Sequence, residues 1–150
     1  AQCFKTVDAF VRVAGIPPEK QSVAFQSAAV GFEQPGQALH HMASAYLDLA
    51  REQTALWQMV FMHRMQKAAP VPDWYQQRTA SLFARVERQM ARLAEGQSDS
   101  AIHLAARTLW SSVHGIAVLA AENKLDVAGD VDEQAMLDSL LENYLNSWAG

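Results

Sequence analysis

The feature that most constrains this chain is where its helix breakers fall. Glycine and proline gather at Gly15-Ile16-Pro17-Pro18, Gln34-Pro35-Gly36, Pro70-Val71-Pro72, Gly96-Gln97-Ser98 and Gly129-Asp130, and residues of this kind interrupt regular structure. The long stretches between them are rich in Ala, Leu, Gln, Glu, Arg and Met, all good helix formers. No run of β-branched residues alternates at period two, so no strand is expected. The reading is all-α: an antiparallel bundle of six or seven helices joined by short loops. One domain of 150 residues removes roughly 70% of its unfolded-chain surface from water and needs no cross-link. The single cysteine, Cys3, permits neither an internal disulfide nor a multi-cysteine zinc site.

Apolar spacing of three and four places the helices. Residues 3–14 carry Phe4, Val7, Phe10 and Val11, residues 19–33 a weaker version of the pattern, and residues 37–52 the stripe Leu39, Met42, Tyr46, Leu49 and Ala50. From Ala55 to Met65 almost no polar face remains, and a helix apolar all round is buried or covered by a partner. Asp73, with Gln76 three residues on, suits a helix start; its stripe is Leu82, Phe83, Val86, Met90 and Leu93, with Arg85, Arg88 and Arg92 facing away and Gly96 placed to end it. Ser98 or Asp99 caps a long helix running to about Asn123, and Asp130 with Glu133 caps the last one.

Reactive chemistry finds little support. There is no Gly-x-Ser-x-Gly elbow, no histidine near Cys3 in sequence and no glycine-rich phosphate cradle. The five histidines form neither a Glu-x-x-His pair nor a His-Glu-x-x-His motif. His103 and His114 share a helix face but stand about 16 Å apart. An enzyme is therefore not expected, nor a metal or other cofactor. The net charge of -4 argues against a dedicated nucleic-acid surface. The longest clean apolar run, Ile116 to Ala121, is far short of the roughly 20 residues that cross a bilayer, and no secretory signal is recognisable.

Surplus apolar surface is more informative. Between Leu109 and Ala121 the only polar side chains are Ser111, Ser112 and His114. Such a helix is either the central member of a bundle or one that lines a pocket on one side and a dimer seam on the other. Trp57, Phe61, Met62, Phe83 and Trp110 are flat or soft side chains that fill irregular space and adapt to varied ligands, or simply fill a core; Tyr46 and His114 are placed to orient a guest. The final helix carries Leu137, Leu140, Leu141, Tyr144, Leu145 and Trp148, suited to packing on its own subunit or on a symmetric partner.

The segment Leu109-Trp110-Ser111-Ser112-Val113-His114-Gly115-Ile116 resembles the Trp-x-x-x-His-Gly signature of regulatory domains in TetR-family transcription factors. Upstream, Ala45 to Glu52 followed by Ala55 to Phe61 is similar to two consecutive helices of that domain, with Gln53-Thr54 standing where the family usually has His-Pro. The likeness covers roughly residues 35–150. It implies a cytoplasmic homodimer paired through its last two long helices, with a small hydrophobic or amphipathic effector held by Tyr46, Trp57, Phe61, Met62, Phe83, Trp110 and His114. The seam is expected at Leu137, Leu140, Leu141, Tyr144 and Trp148, with no membrane partner. The family's DNA-reading helix-turn-helix has no counterpart in Ala1 to Glu33, so contact with DNA is expected only through a missing N-terminal domain. Residues 1–33 are then a linking helix region, broken at 15–18, and residues 34–150 the effector-binding and dimerisation domain. A helical protein-interaction module with no small-molecule ligand is the alternative.

Overall fold

A computed structural model describes residues 34–61 and 73–150. Among them are five helices and no strand: α1 (Pro35–Glu52), α2 (Thr54–Phe61), α3 (Asp73–Leu93), α4 (Asp99–Ala121) and α5 (Glu133–Ala149). The all-helical class holds, but the count of six or seven is not supported by the described residues. The helices expected at 3–14 and 19–33, and the continuation to Met65, lie outside them, as does the linking region 1–33.

Local chemistry explains the boundaries. Pro35 opens α1 in the first turn, where its missing N–H costs nothing. Gln53 leaves the helical region with φ -127° and ψ 51°, and the Thr54 hydroxyl donates to the Ala50 carbonyl at 2.8 Å. That contact occupies an orphan carbonyl and turns the chain directly into α2. Ser98 caps α4, its Oγ accepting from the Ala101 N–H at 3.2 Å. Asp132 rather than Asp130 caps α5, accepting from the Ala135 N–H at 3.0 Å. Asp130 instead takes a positive φ of 56°, next to Gly129 at 92°, and serves the turn before the cap.

α4 is the axis of the domain: α1, α3 and α5 all pack against it, and α1 also touches α2, α3 and α5. The core is built from Leu39, Leu47, Trp57, Met90, Leu109, Val113, Leu137 and Leu141, all buried. By length and composition alone the 23 residues of α4 would suffice to cross a membrane, although its longest unbroken apolar run extends only from Ile116 to Ala121. The central helix of a bundle meets the same description, and α4 has that place here.

One face departs from expectation. Arg85 does not point away from α3 but is buried, as is Gln89 one turn on, and the Arg92 guanidinium donates to the Gln89 side-chain oxygen at 3.1 Å. Burial, with Arg88 nearby, lowers the Arg85 pKa from its ordinary value.

Candidate functional site: an aromatic cluster and the outer face of α4

Four helices contribute to one connected set of rings. Tyr46 comes from α1, Trp57 from α2, Phe83 from α3, and Trp110 and His114 from α4. Trp110 and His114 are four residues apart, so one helical turn stacks them: their centroids are 5.0 Å apart and their planes 23°. Trp57 lies 5.5 Å from the His114 ring and meets Tyr46 edge-on at 6.4 Å. Phe83 meets Trp110 edge-on at 5.8 Å. These are contact distances, and each pair is worth about 0.5–1.5 kcal/mol beyond the area it buries.

A hydrogen bond of 2.7 Å joins the Tyr46 hydroxyl to Nδ1 of His114. Burial lowers the His114 pKa from its ordinary value, which favours the neutral ring. We assign the hydroxyl as donor to Nδ1, which leaves the imidazole proton on Nε2. Toward α3 the cluster ends in charge. The Arg107 guanidinium sits 4.3 Å over the Phe83 ring and pairs with Glu87, whose carboxylate is also 3.4 Å from His103. This cap was not legible from spacing, because Glu87 and Arg107 stand on different helices. Of the residues expected to hold an effector, Tyr46, Trp57, Phe83, Trp110 and His114 are thus gathered. The side chain of Phe61 and the whole of Met62 lie outside the described structure. Among the described residues no group of three or more His, Cys, Asp or Glu could hold a metal ion.

The residues expected at a dimer seam divide. Leu137 and Leu141 are buried in the subunit's own core. Tyr144 and Trp148 pack at its edge; the Tyr144 hydroxyl reaches the Ala105 carbonyl at 3.4 Å, and Trp148 Nε1 donates to the Met90 carbonyl at 2.9 Å. Leu140 alone of the five lines an outward groove of about 450 Å³, together with Ser112, Ile116, Val131, Ala135, Met136 and Ser139.

That groove borders a face made mostly of small uncharged residues, with Glu142 exposed three residues on from Ser139. On α4 it presents Leu104, Thr108, Ser111, Ser112 and Gly115, and on α5 Ala135, Ser139 and Asn143. Its polar groups are already satisfied. Ser111 and Ser112 donate to the Arg107 and Thr108 carbonyls at 2.8 and 2.9 Å, and Asn143 donates to the Ser139 carbonyl at 2.7 Å. Gly115 is exposed, and a Cβ built there meets nothing within 4 Å. Within one subunit the glycine therefore has no packing purpose, although in a helix interior it costs about 1 kcal/mol relative to alanine.

Compared with known families, residues 39–144 match the tetracyclin repressor-like C-terminal domain. The chain belongs to that family. The match spans most of the sequence, including the Trp110-x-x-x-His114-Gly115 segment, and so places the chain among the regulatory C-terminal domains of TetR-like proteins. No curated protein matches the chain.

Proposed function

We propose that this domain is the regulatory part of a cytoplasmic TetR-like transcription factor. It binds a small apolar effector at the ring cluster, pairs with a second copy, and so governs a DNA-reading helix-turn-helix carried by an N-terminal domain outside this chain. Residues 34–150 do the binding and pairing, and residues 1–33 form the link.

The observation that carries this reading is that one closed ring cluster ties together α1, α2, α3 and α4. Because the rings are at contact distance, a guest of ring size is accommodated by parting them. The rings come from four helices, so parting them shifts the balance between helix arrangements. Effector affinity is converted in this way into helix arrangement, with a coupling of about 1–3 kcal/mol typical of such systems. The ligand contributes only its differential affinity for the two arrangements. Phe61 and Met62, four and five residues on from Trp57, complete the proposed lining.

The seam is best supported on the outer face of α4 and α5 rather than at the large apolar residues of α5. Leu140, Ser112 and Ser139 line its groove, Gly115 admits close approach, and the satisfied serine and asparagine side chains are buried without leaving unpaired donors. A two-fold axis there pairs α4 and α5 with their copies.

The test is a thermal-shift screen of small apolar compounds, followed by titration of any stabilising compound against Trp110→Ala. The expected result is binding that weakens about 10-fold or more when the ring stacked on His114 is removed. Unaltered affinity removes Trp110 from the site. A screen without a single stabilising compound favours the interaction-module reading, in which the outer groove receives another protein.

A further inference from the structure

Trp57 is 1% exposed, and its Nε1–H is the one buried side-chain polar atom without a hydrogen-bond partner among the described residues. Trp148 shows the ordinary solution, giving its Nε1–H to the Met90 carbonyl. An orphaned buried donor costs about 1–3 kcal/mol, and folded proteins leave few. No side chain of the cluster accepts from it: Tyr46 meets the indole edge-on, and its hydroxyl, which donates to Nδ1 of His114, is not a partner of the Trp57 N–H.

We propose, resting on the effector reading above, that Trp57 Nε1–H anchors the effector, and that the effector is a ring-bearing molecule with a neutral hydrogen-bond acceptor such as a ketone, ester, amide or pyridine-type nitrogen. The acceptor satisfies the indole, and the ring skeleton takes a place among Tyr46, Trp110 and His114. A formal charge is disfavoured at this end of the site. Neither Trp57 nor His114 makes an ion pair or cation–ring contact among the described residues. Arg107 lies at the far end over Phe83 and is already paired with Glu87. A buried carboxylate beside Trp57 would gain one indole N–H but no countercharge for the water it loses, and an ammonium would gain neither.

The experiment uses the full chain with its four tryptophans labelled with 15N at the indole nitrogen. It compares four probes on one skeleton: 2-acetylnaphthalene, 2-ethylnaphthalene, 2-naphthoate and 2-naphthylmethylammonium. The expected result is that the acetyl compound binds about 10-fold or more tighter than the ethyl compound, with the charged pair weaker than either. The Trp57 indole proton, assigned with Trp57→Phe, moves downfield with the acetyl compound only. In Trp57→Phe the acetyl-to-ethyl ratio falls to about 1; should that variant not fold, the probe ranking and the indole shift in the unaltered chain decide alone. Equal binding of the acetyl and ethyl compounds overturns the anchor and leaves the effector reading standing. Preference for a charged probe overturns the neutral-acceptor class. An indole proton already at a hydrogen-bonded position and unmoved by any probe assigns the orphan to a bound water and overturns the proposal. Failure of all four probes to bind overturns it together with the effector reading.

Discussion

The two sides of α4 differ in how much of their chemistry is spent. Toward the interior, Leu109, Val113 and Ala117 are buried, and Trp110 and His114 are committed to rings and a hydroxyl on three other helices. Toward the exterior, Leu104 is 67% exposed, Gly115 faces open space, and the serine hydroxyls fold back onto their own helix. The inner side is specified by its contacts. The outer side is set apart by small residues, Gly115 with Ser111 and Ser112, and the serine hydroxyls already bond to their own helix. A helix built in this way can hold a responsive core on one side and a partner on the other, so a change in the core reaches the seam through a single rigid element.

The largest effect that sharpens the contrast is expected at Leu137, fully buried yet attractive as a seam residue by sequence. Leu137→Ala should cost about 3 kcal/mol of folding stability, read by chemical denaturation, while the affinity between folded subunits stays unchanged. A selective loss of pairing would move Leu137 to the seam. Gly115→Ala comes next and should act in two directions. The helix gains about 1 kcal/mol where subunits are apart, and pairing weakens because the added methyl enters the closest approach. Stabilisation with pairing intact would break the assignment of the outer face.

The smallest effect concerns His114. Its native pKa is lowered by burial, so between that value and about 6.5 the unfolded chain binds the proton more readily. Stability should be level above about 6.5 and fall as pH drops through that value toward the native one. His114→Gln should flatten that part of the profile, and an unchanged slope would assign it to other groups.

These particulars show what a sequence can and cannot display. Helix spans and the inward rings were legible because period and residue type carry them directly: Trp110 and His114 are one turn apart, and Tyr46 lies on the apolar stripe of α1. The division of α5 was not. Leu137, Leu141 and Leu145 form an i, i+4 row that could have met either the subunit's own core or a neighbour, and periodicity does not say which. The better signal for an outer contact lay in small uncharged residues, Ser112, Gly115 and Ser139, which a search for large apolar side chains passes over. Burial of Arg85 was hidden for a related reason, since a long side chain on the flank of a stripe can lie along apolar surface and be covered. The Asp132 cap escaped because Asp130, two residues earlier, offers the same chemistry, and only the backbone turn at Gly129 distinguishes them.

The most direct test of the account is the mass of the chain in solution, by sedimentation equilibrium, with and without Ser112→Arg. The unaltered chain should sediment as a dimer, at twice the 16.6 kDa of one subunit. The arginine, a charge and a long side chain placed inside the groove that Ser112 lines, should weaken pairing more than 100-fold, corresponding to about 3–5 kcal/mol, while the helical circular dichroism is retained. A monomer in the unaltered chain, or a dimer indifferent to Ser112→Arg, would contradict the claim that the outer face of α4 is where two copies meet.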